Sequence, residues 1–350
     1  MKGSLHTMLS FSIPSLDEAV MEEAKHYIDC LTKPPGSLGR LEDIAIQFAG
    51  MTGELKPDIT PGIVVFAADH GVVAENVSAS PQAVTHQMAI NMVEGGAGIS
   101  VFGQMIGASL DVYDVGVLQD VSSEKVIKKK VREGTGNIAK ECAMTVEEAW
   151  KTIETGYEAA NLAIDGGVRC LIVGELGIGN TTPSSAILSA LLGIDPQSVV
   201  GRGSGIDDQQ LQRKIDVCRE AIALHQPNQN DAIDLLTKIG GLDLAAMTGA
   251  MIAAAERRVP ILLDGFICPV SACLAKLLAP GCEQFMLVSH QSVEQGHVAA
   301  STYVGKEALI GLDLRLGEGT GAAIAYPIVQ AANVMVKNMA TFERAKVTLK

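Results

Sequence analysis

The feature that most constrains this chain is a set of five short, apolar, β-rich runs separated by longer segments with helical character. The runs occupy residues 63–66, 110–113, 170–173, 260–263 and 285–288. Apolar runs of this length are typical of strands buried on both faces, and strands that alternate with helices are typical of a parallel sheet. The pattern therefore predicts an α/β fold, with a Rossmann-like large domain whose parallel sheet carries helices on both faces.

Polar or glycine residues directly follow these runs. Asp69 follows the first run, Gly174 and Glu175 the third, Asp264 the fourth and Ser289 the fifth. In parallel α/β sheets, ligands bind beyond the carboxyl ends of the strands. Any one of these residues could belong to an ordinary turn or helix cap. Together they predict one shared pocket, and Asp264 and Ser289 are candidate binding residues there.

A glycine-rich segment, residues 174–182, follows the third run and opens a helical pattern. Exposed backbone amides, a helix N-terminus and threonine hydroxyls together suit a 5′-phosphate. The segment matches neither the dinucleotide-binding GxGxxG motif nor a P-loop. A strand–helix turn with a threonine cap is the alternative interpretation. The candidate binding residues in this segment are Gly177, Gly179, Asn180 and Thr181.

A second glycine-rich loop, residues 201–205, precedes a helix with an acidic first turn. Gly203 lies at the centre of this loop, which could wrap a phosphate or a ribose. A plain flexible connection explains the same composition equally well.

Glu318 is flanked by glycines on both sides in the segment 316–321. Such neighbours allow a bulky ligand to approach the carboxylate closely. A carboxylate whose pKa is raised by partial burial can act as a general base. The alternative is a glutamate in a solvated turn at a helix N-terminus.

Charge and cysteine content limit the classes of partner. The chain has 27 Lys and Arg against 40 Asp and Glu, a net charge of −13, which argues against nucleic acid because phosphate backbones need a basic surface. The seven cysteines form no CxxC pair, so we expect neither a disulfide framework nor a zinc site. Asp69-His70 alone supplies no metal-ligand set. No metal or cofactor is expected.

The sequence shows no apolar signal core and no uninterrupted apolar stretch long enough to span a membrane. We therefore expect no membrane span and a cytoplasmic location, where free thiols persist. Helical patterns run from Asp17 toward Cys30, from Leu41 to Met51, and from about Gly319 toward the C-terminus.

Taken together, the motifs resemble the nicotinate-nucleotide–dimethylbenzimidazole phosphoribosyltransferase family of cobalamin biosynthesis, and the resemblance spans nearly the whole chain. The segments that carry it are KPPGSLGRLE (33–42), ADHGV (68–72), Ser80-Pro81 with Val84-Thr85, GELGIGNTT (174–182), GGLDL (240–244), LDGF (263–266) and RLGEGTG (315–321). The order and number of these segments make the resemblance specific.

The resemblance implies an enzyme that transfers the phosphoribosyl group of nicotinate mononucleotide to 5,6-dimethylbenzimidazole. The products would be α-ribazole 5′-phosphate, for the lower ligand of cobalamin, and nicotinate. It also implies a homodimer. The small helical domain would comprise residues 1–55 and 325–350, and the large catalytic domain residues 56–324.

The resemblance further implies roles for individual residues. Glu318 would be the catalytic base, with Glu175 beside it in the same pocket. The benzimidazole would lie near Ser80 and Gln87, with Met88 and Leu316 as an apolar wall, and Lys214 would lie near the nucleotide. From the local pattern alone, Lys214 would instead be a surface residue of a helix.

Two other functions compete with this interpretation. A dinucleotide-dependent oxidoreductase would need GxGxxG after the first strand, where this chain has Asp69-His70-Gly71-Val72-Val73. A nucleotide sensor without catalytic activity would bind nicotinate mononucleotide but release no nicotinate, so turnover separates it from an enzyme.

Overall fold

The structure is a computed structural model, and it describes residues 10–203 and 205–348. The helices in this part of the chain are α1 (Glu18–Asp29), α2 (Arg40–Thr52), α3 (Ala83–Val93), α4 (Gly98–Met105), α5 (Val146–Asp165), α6 (Thr181–Leu192), α7 (Asp208–His225), α8 (Ala232–Ile239), α9 (Leu242–Glu256), α10 (Ile267–Leu278), α11 (His297–Val304), α12 (Thr320–Asn338) and α13 (Phe342–Ala345).

The main sheet is parallel and six-stranded, and it contains all five predicted strands. Its members are β1 (Pro61–Ala68), β2 (Ser109–Gly116), β3 (Ile127–Lys128), β4 (Cys170–Leu176), β5 (Ile261–Leu263) and β6 (Met286–Val288). Two short strands, β7 (His290–Gln291) and β8 (Ile310–Gly311), pair separately. The α/β class and the parallel sheet are confirmed.

The strand order is β3-β2-β1-β4-β5-β6. The chain moves outward in one direction from β1 and later in the other direction from β4, so a crevice opens between the ends of these two strands. Every residue of β1 and of β4 is buried, as expected for strands covered by helices on both faces. Phe66 on β1 lies opposite Glu175 on β4, which places Glu175 beside this crevice.

Helix starts follow the capping chemistry that the sequence provides. The Asp17 side chain accepts a hydrogen bond from the Val20 amide at the start of α1. Asp207 and Gln210 form a capping box at the start of α7. Because these caps satisfy amides that the first turn leaves free, they set the point at which each helix begins.

Helices from the two ends of the chain lie together. α2 packs against both α1 and α12, and Leu31 forms a β-bridge with Thr341. α12 runs without interruption through residues 324 and 325, so the predicted domain boundary falls inside one helix. The division into two domains stays a prediction. In the described part of the chain, no helix combines the length and the apolar character needed to cross a membrane.

Candidate active site

A cavity of about 310 Å³ lies at the carboxyl ends of the strands. Eleven of the residues singled out from the sequence line it: Met88, Glu175, Gly177, Gly179, Asn180, Thr181, Gly203, Lys214, Asp264, Leu316 and Glu318. Segments that are more than 200 residues apart in the chain therefore meet in one place, because parallel strands end at the same edge of the sheet.

Glu318 sits in a tight turn just before α12. Its φ is +66°, and the flanking Gly317 and Gly319 have φ of +84° and +90°. A Cβ on Gly174 would lie 2.3 Å from the Glu318 carbonyl oxygen. Glycine at position 174 therefore lets this turn pack directly on β4. Three consecutive residues in the left-handed region are unusual, and a non-glycine residue among them is costly unless the surroundings hold it there.

The carboxyl group of Glu318 is buried, with the residue only 6% exposed. Burial raises its pKa to about 7, the backbone N–H of Ile99 opposes the rise, and the charge of Asp264 adds to it. Its Oε2 has no hydrogen-bond partner among the described residues. A carboxylate with a pKa near neutrality and a free oxygen is suited to accept a proton from a ligand.

Glu175 is held by hydrogen bonds on both oxygens. Its Oε1 accepts from the Glu318 backbone amide at 3.3 Å, and its Oε2 accepts from Asn180 Nδ2. Asn180 also donates to Asp243 Oδ2 at 3.0 Å, and Asp243 Oδ1 lies 3.2 Å from His70 Nε2. Burial, followed by the nearby charge of Asp243, raises the pKa of Glu175 well above its usual range. These contacts fix Glu175 directly under the Glu318 turn.

Asp264 connects the end of β5 to the start of α12. Its Oδ2 accepts from the Gly319 amide at 3.0 Å, and its Oδ1 accepts from the Ala322 amide at 3.2 Å. His290 Nε2 lies 3.3 Å from the same Oδ1. Asp264 therefore caps α12 and anchors the residue that follows Glu318.

Lys214 is a buried lysine, only 1% exposed, and the interpretation of it as a surface residue is wrong. Its Nζ donates to Thr181 Oγ1 at 2.8 Å and to the Gly201 carbonyl at 3.0 Å. Burial lowers its pKa, and the charge of Glu294 acts in the opposite direction. The packing of α7 against α6 turns this side chain inward, where it joins the two glycine-rich segments at the N-terminus of α6.

The apolar part of the cavity wall includes Val84 and Met88 of α3, which are four residues apart and share one face of the helix. Gln87 is exposed and does not line the cavity, because a one-residue step turns a side chain by about 100° around the helix axis. Ser80 is half-buried, Ser289 is fully buried, and neither lines the cavity. A binding role for Gln87, Ser80 and Ser289 stays a prediction.

Sequence reasoning gave no role to several polar residues of the site, among them Asp243 and Glu294. Asp243 was part of a recognised segment but was assigned no role, and Glu294 was not singled out. Glu294 lines the cavity, and its Oε1 accepts from the Gly203 amide at 2.9 Å. A signal for Glu294 was present, because it lies six residues beyond the end of β6, near the edge where the other polar residues gather.

Within residues 10–203 and 205–348, no group of three or more His, Cys, Asp and Glu side chains is arranged to hold a metal ion. His290 and His297 stack with ring centroids 6.4 Å apart, and His297 Nδ1 lies 3.1 Å from the Gly265 carbonyl. This contact assigns His297 a structural hydrogen bond on the wall beside Asp264.

Comparison with known proteins gives the chain a family. A family model described as a phosphoribosyltransferase matches residues 13–347. A protein of Chloroflexus aggregans, named nicotinate-nucleotide–dimethylbenzimidazole phosphoribosyltransferase, is 45% identical over 99% of both chains. A protein of the same name from Halalkalibacterium halodurans is 46% identical over 96% of this chain and 95% of its own.

Solved structures agree with the sequence matches. The crystal structure of CobT from Thermus thermophilus superposes with a TM-score of 0.91 and 42% identity, covering 95% of this chain and all of that one. A crystal structure named as the nicotinate-nucleotide–dimethylbenzimidazole phosphoribosyltransferase of the same organism gives a TM-score of 0.90 and 41% identity over 96% of this chain. The chain belongs to the phosphoribosyltransferase family of these relatives.

Proposed function

We propose that this protein transfers the phosphoribosyl group of nicotinate mononucleotide to 5,6-dimethylbenzimidazole, which forms α-ribazole 5′-phosphate and nicotinate. The observation that carries the proposal is the Glu318 carboxyl group, which is buried at the cavity and has a pKa of about 7 and a free oxygen. The names of the relatives supply the two substrates, and the geometry supplies a role for each part of the cavity.

The N-terminus of α6 is the proposed phosphate site. Helix N-termini attract anions because their first amides lack acceptors within the helix. Thr181 adds a hydroxyl at this point, and Lys214 places a cation against it. The mononucleotide would bind here with its 5′-phosphate, so that its ribose extends along the cavity toward Glu318.

Met88 and Leu316 are the proposed apolar contacts for the flat acceptor base, together with Val84. The base would lie with its N–H toward Glu318, and its second ring nitrogen would attack the anomeric carbon of the ribose. Glu318 accepts the N–H proton as the attack proceeds, so no cationic product accumulates.

The bond changes balance without a cofactor. The new bond joins the benzimidazole nitrogen to the anomeric carbon, and the bond from that carbon to the pyridinium nitrogen breaks. The electron pair of the broken bond neutralises the pyridinium, so nicotinate leaves without needing a proton. Attack opposite the leaving group converts a β-nucleotide into an α-product. Glu175 accepts the Glu318 backbone amide with its Oε1, so its role in this mechanism is to position the catalytic base.

Turnover tests this proposal directly. Nicotinate mononucleotide and dimethylbenzimidazole are incubated with the protein, and nicotinate and α-ribazole 5′-phosphate are separated and quantified by chromatography. Equal amounts of the two products are expected. In Glu318→Ala, kcat should fall by about 10²–10⁴-fold, because general base catalysis is lost. Circular dichroism should show a folded variant.

Two results would contradict the proposal. Tight binding of the nucleotide without release of nicotinate would favour a sensor, and near wild-type turnover in Glu318→Ala would remove this residue from the mechanism. Glu307→Ala is a matched control, because Glu307 is an exposed glutamate that does not line the cavity.

We also propose a homodimer and a cytoplasmic location. The family resemblance supports the dimer, and α4 exposes two large apolar side chains, Val101 and Met105, at 53% and 60%. All the cysteines in the described part of the chain are free, which suits a reducing compartment.

A further inference from the structure

Glu294 is a buried carboxylate at the phosphate end of the cavity. The residue is 8% exposed, and it lines the cavity beside Gly203. Its Oε1 accepts the Gly203 amide at 2.9 Å, while its Oε2 has no hydrogen-bond partner among the described residues. A buried carboxylate oxygen without a donor is costly, so it is expected to find a donor in the working state of the protein.

The oxygens of the other carboxylates at the cavity either accept hydrogen bonds from the protein or have a proposed role in catalysis. Both oxygens of Glu175 accept hydrogen bonds from the protein, and so do both oxygens of Asp264. The free oxygen of Glu318 is assigned to the N–H of the acceptor base. Among the residues that line the cavity in the described part of the chain, Glu294 therefore carries the one remaining buried carboxylate oxygen that has no hydrogen-bond partner.

The donor substrate offers few groups that could satisfy this oxygen. The phosphate and the nicotinate carboxylate of the mononucleotide are both ionised acceptors at neutral pH, and its pyridinium nitrogen carries no hydrogen. The ribose hydroxyls are its only hydrogen-bond donors. A hypothetical Cβ on Gly203 would lie 3.3 Å from Thr181 Oγ1 and 3.7 Å from Lys214 Nζ, so Glu294 is placed close to the proposed phosphate site and hence to the ribose.

We infer that Glu294 binds a ribose hydroxyl of the mononucleotide and makes the enzyme selective for ribonucleotides over deoxyribonucleotides. This inference rests on the proposed function for the identity of the nucleotide. Glu294 would then be a specificity-determining residue that does not contact the bonds being made or broken.

The test combines a protein variant with substrate analogues. Wild type and Glu294→Ala are each assayed with nicotinate mononucleotide and with its 2′-deoxy and 3′-deoxy analogues. In wild type, removal of the bound hydroxyl should lower kcat/KM by about 10- to 100-fold, as expected for a hydrogen bond to a charged group. In Glu294→Ala, kcat/KM for the same analogue should be less than about threefold below kcat/KM for the ribonucleotide, because the carboxylate that binds the hydroxyl is absent from this variant.

A purely structural role gives a different pattern. If Glu294 only braces the Gly203 loop, Glu294→Ala lowers kcat/KM for all three nucleotides by the same factor and leaves the ribose-to-deoxyribose ratio at its wild-type value, which overturns the inference. Glu294→Gln, which keeps the size of the side chain, provides a second variant if the alanine variant does not fold. Glu307→Ala should leave the ratio unchanged.

Binding measurements separate this inference from the proposed function. Calorimetry with the three nucleotides and no acceptor base reports selectivity even if no turnover occurs. Absence of turnover with a preference for the ribonucleotide would contradict the proposed function and keep the inference. Equal affinity of wild type for all three nucleotides, together with equal kcat/KM wherever turnover occurs, would overturn the inference alone.

Discussion

The fold holds the carboxylate side chain of Glu318 in an energetically unfavourable environment and backbone conformation. It is buried, its backbone is left-handed, and one of its oxygens is unpaired. Such costs are typical of functional positions, where neighbouring structure fixes a residue that would otherwise relax. Two hydrogen bonds hold Glu318 in this position. The Gly319 amide donates to Asp264, and the Glu318 amide donates to Glu175.

The pH dependence of activity follows from the pKa of Glu318. A general base must be ionised, and burial raises the pKa of this carboxyl group to about 7. We therefore expect kcat/KM to rise with pH up to about 7 and then level off. The measurement is a pH–rate profile from pH 5 to 9. A profile that is flat from pH 5 upward would show that Glu318 does not control the rate.

The same raised pKa predicts the opposite trend for stability. The folded state retains a proton on Glu318 between its ordinary value of 4.5 and about 7, whereas the unfolded chain releases it, so stability falls as pH rises through this window. Glu318→Gln removes the cost of ionising a buried carboxyl group and should stabilise the protein by about 3 kcal/mol at pH 8. The gain should be much smaller at pH 5. Denaturant unfolding at both pH values measures it, and an equal effect at the two would contradict the prediction.

Substitution of Lys214 is expected to change KM for one substrate only. Lys214→Met keeps the length of a buried side chain and removes its charge from the N-terminus of α6. KM for nicotinate mononucleotide should rise by about 10- to 100-fold, because a charge-assisted contact to phosphate is lost, while KM for dimethylbenzimidazole should change little. Initial-rate kinetics with each substrate varied measure both constants. Lys151→Met, on the exposed face of α5, is the control, and an equal rise in both KM values would contradict the assignment.

At the scale of elements, the start of α12 links the stability of the fold to the position of Glu318. Asp264→Ala leaves the Gly319 and Ala322 amides without their acceptor, at a cost of about 1–3 kcal/mol for each buried group left unpaired. Because the Glu318 turn loosens at the same time, kcat should also fall. Denaturant unfolding and steady-state kinetics measure the two effects.

The control for Asp264 is a helix cap far from the cavity. Thr145 caps α5 in a capping box, and Thr145→Ala should cost about 1 kcal/mol while kcat stays unchanged. If Asp264→Ala lowers stability but leaves kcat at the wild-type value, Asp264 is a helix cap without influence on Glu318.

In α3, the sequence pattern does not determine which side chains face the cavity. The resemblance placed both Gln87 and Met88 at the benzimidazole, yet their side chains point about 100° apart around the helix axis and, of the two, only Met88 lines the cavity. The packing of α3 on β1, β2 and β4 turns Val84 and Met88 inward. This choice depends on the rotation of the whole helix.

For the whole molecule, the proposed homodimer predicts a measurable mass. Light scattering after size-exclusion chromatography should give twice the mass of one chain, with little change on dilution. Exposed apolar side chains such as Val101 and Met105 would then be covered by the second subunit. A monomer mass at the concentrations used for catalysis would contradict the dimer.

The sequence by itself determined five of the six strands of the main sheet, the starts of several helices and part of the cavity wall. Apolar periodicity identified all five major strands, and the polar residues after them identified Glu175 and Asp264, because these signals are local and parallel strands end at one edge. The glycines around position 318 also identified Glu318 as a candidate base, and Gly317 and Gly319 adopt the positive φ angles that glycine favours in the turn that holds it.

Only the tertiary structure decided what each polar group meets. Lys214 lies in a polar helix whose pattern indicates a surface, and only the packing of that helix against α6 buries it. The two oxygens of Asp264 are taken by amides of α12, and Glu294 reaches the Gly203 loop across 91 positions of sequence. Burial and hydrogen-bond partners depend on which distant segments pack together, and local sequence does not contain that information.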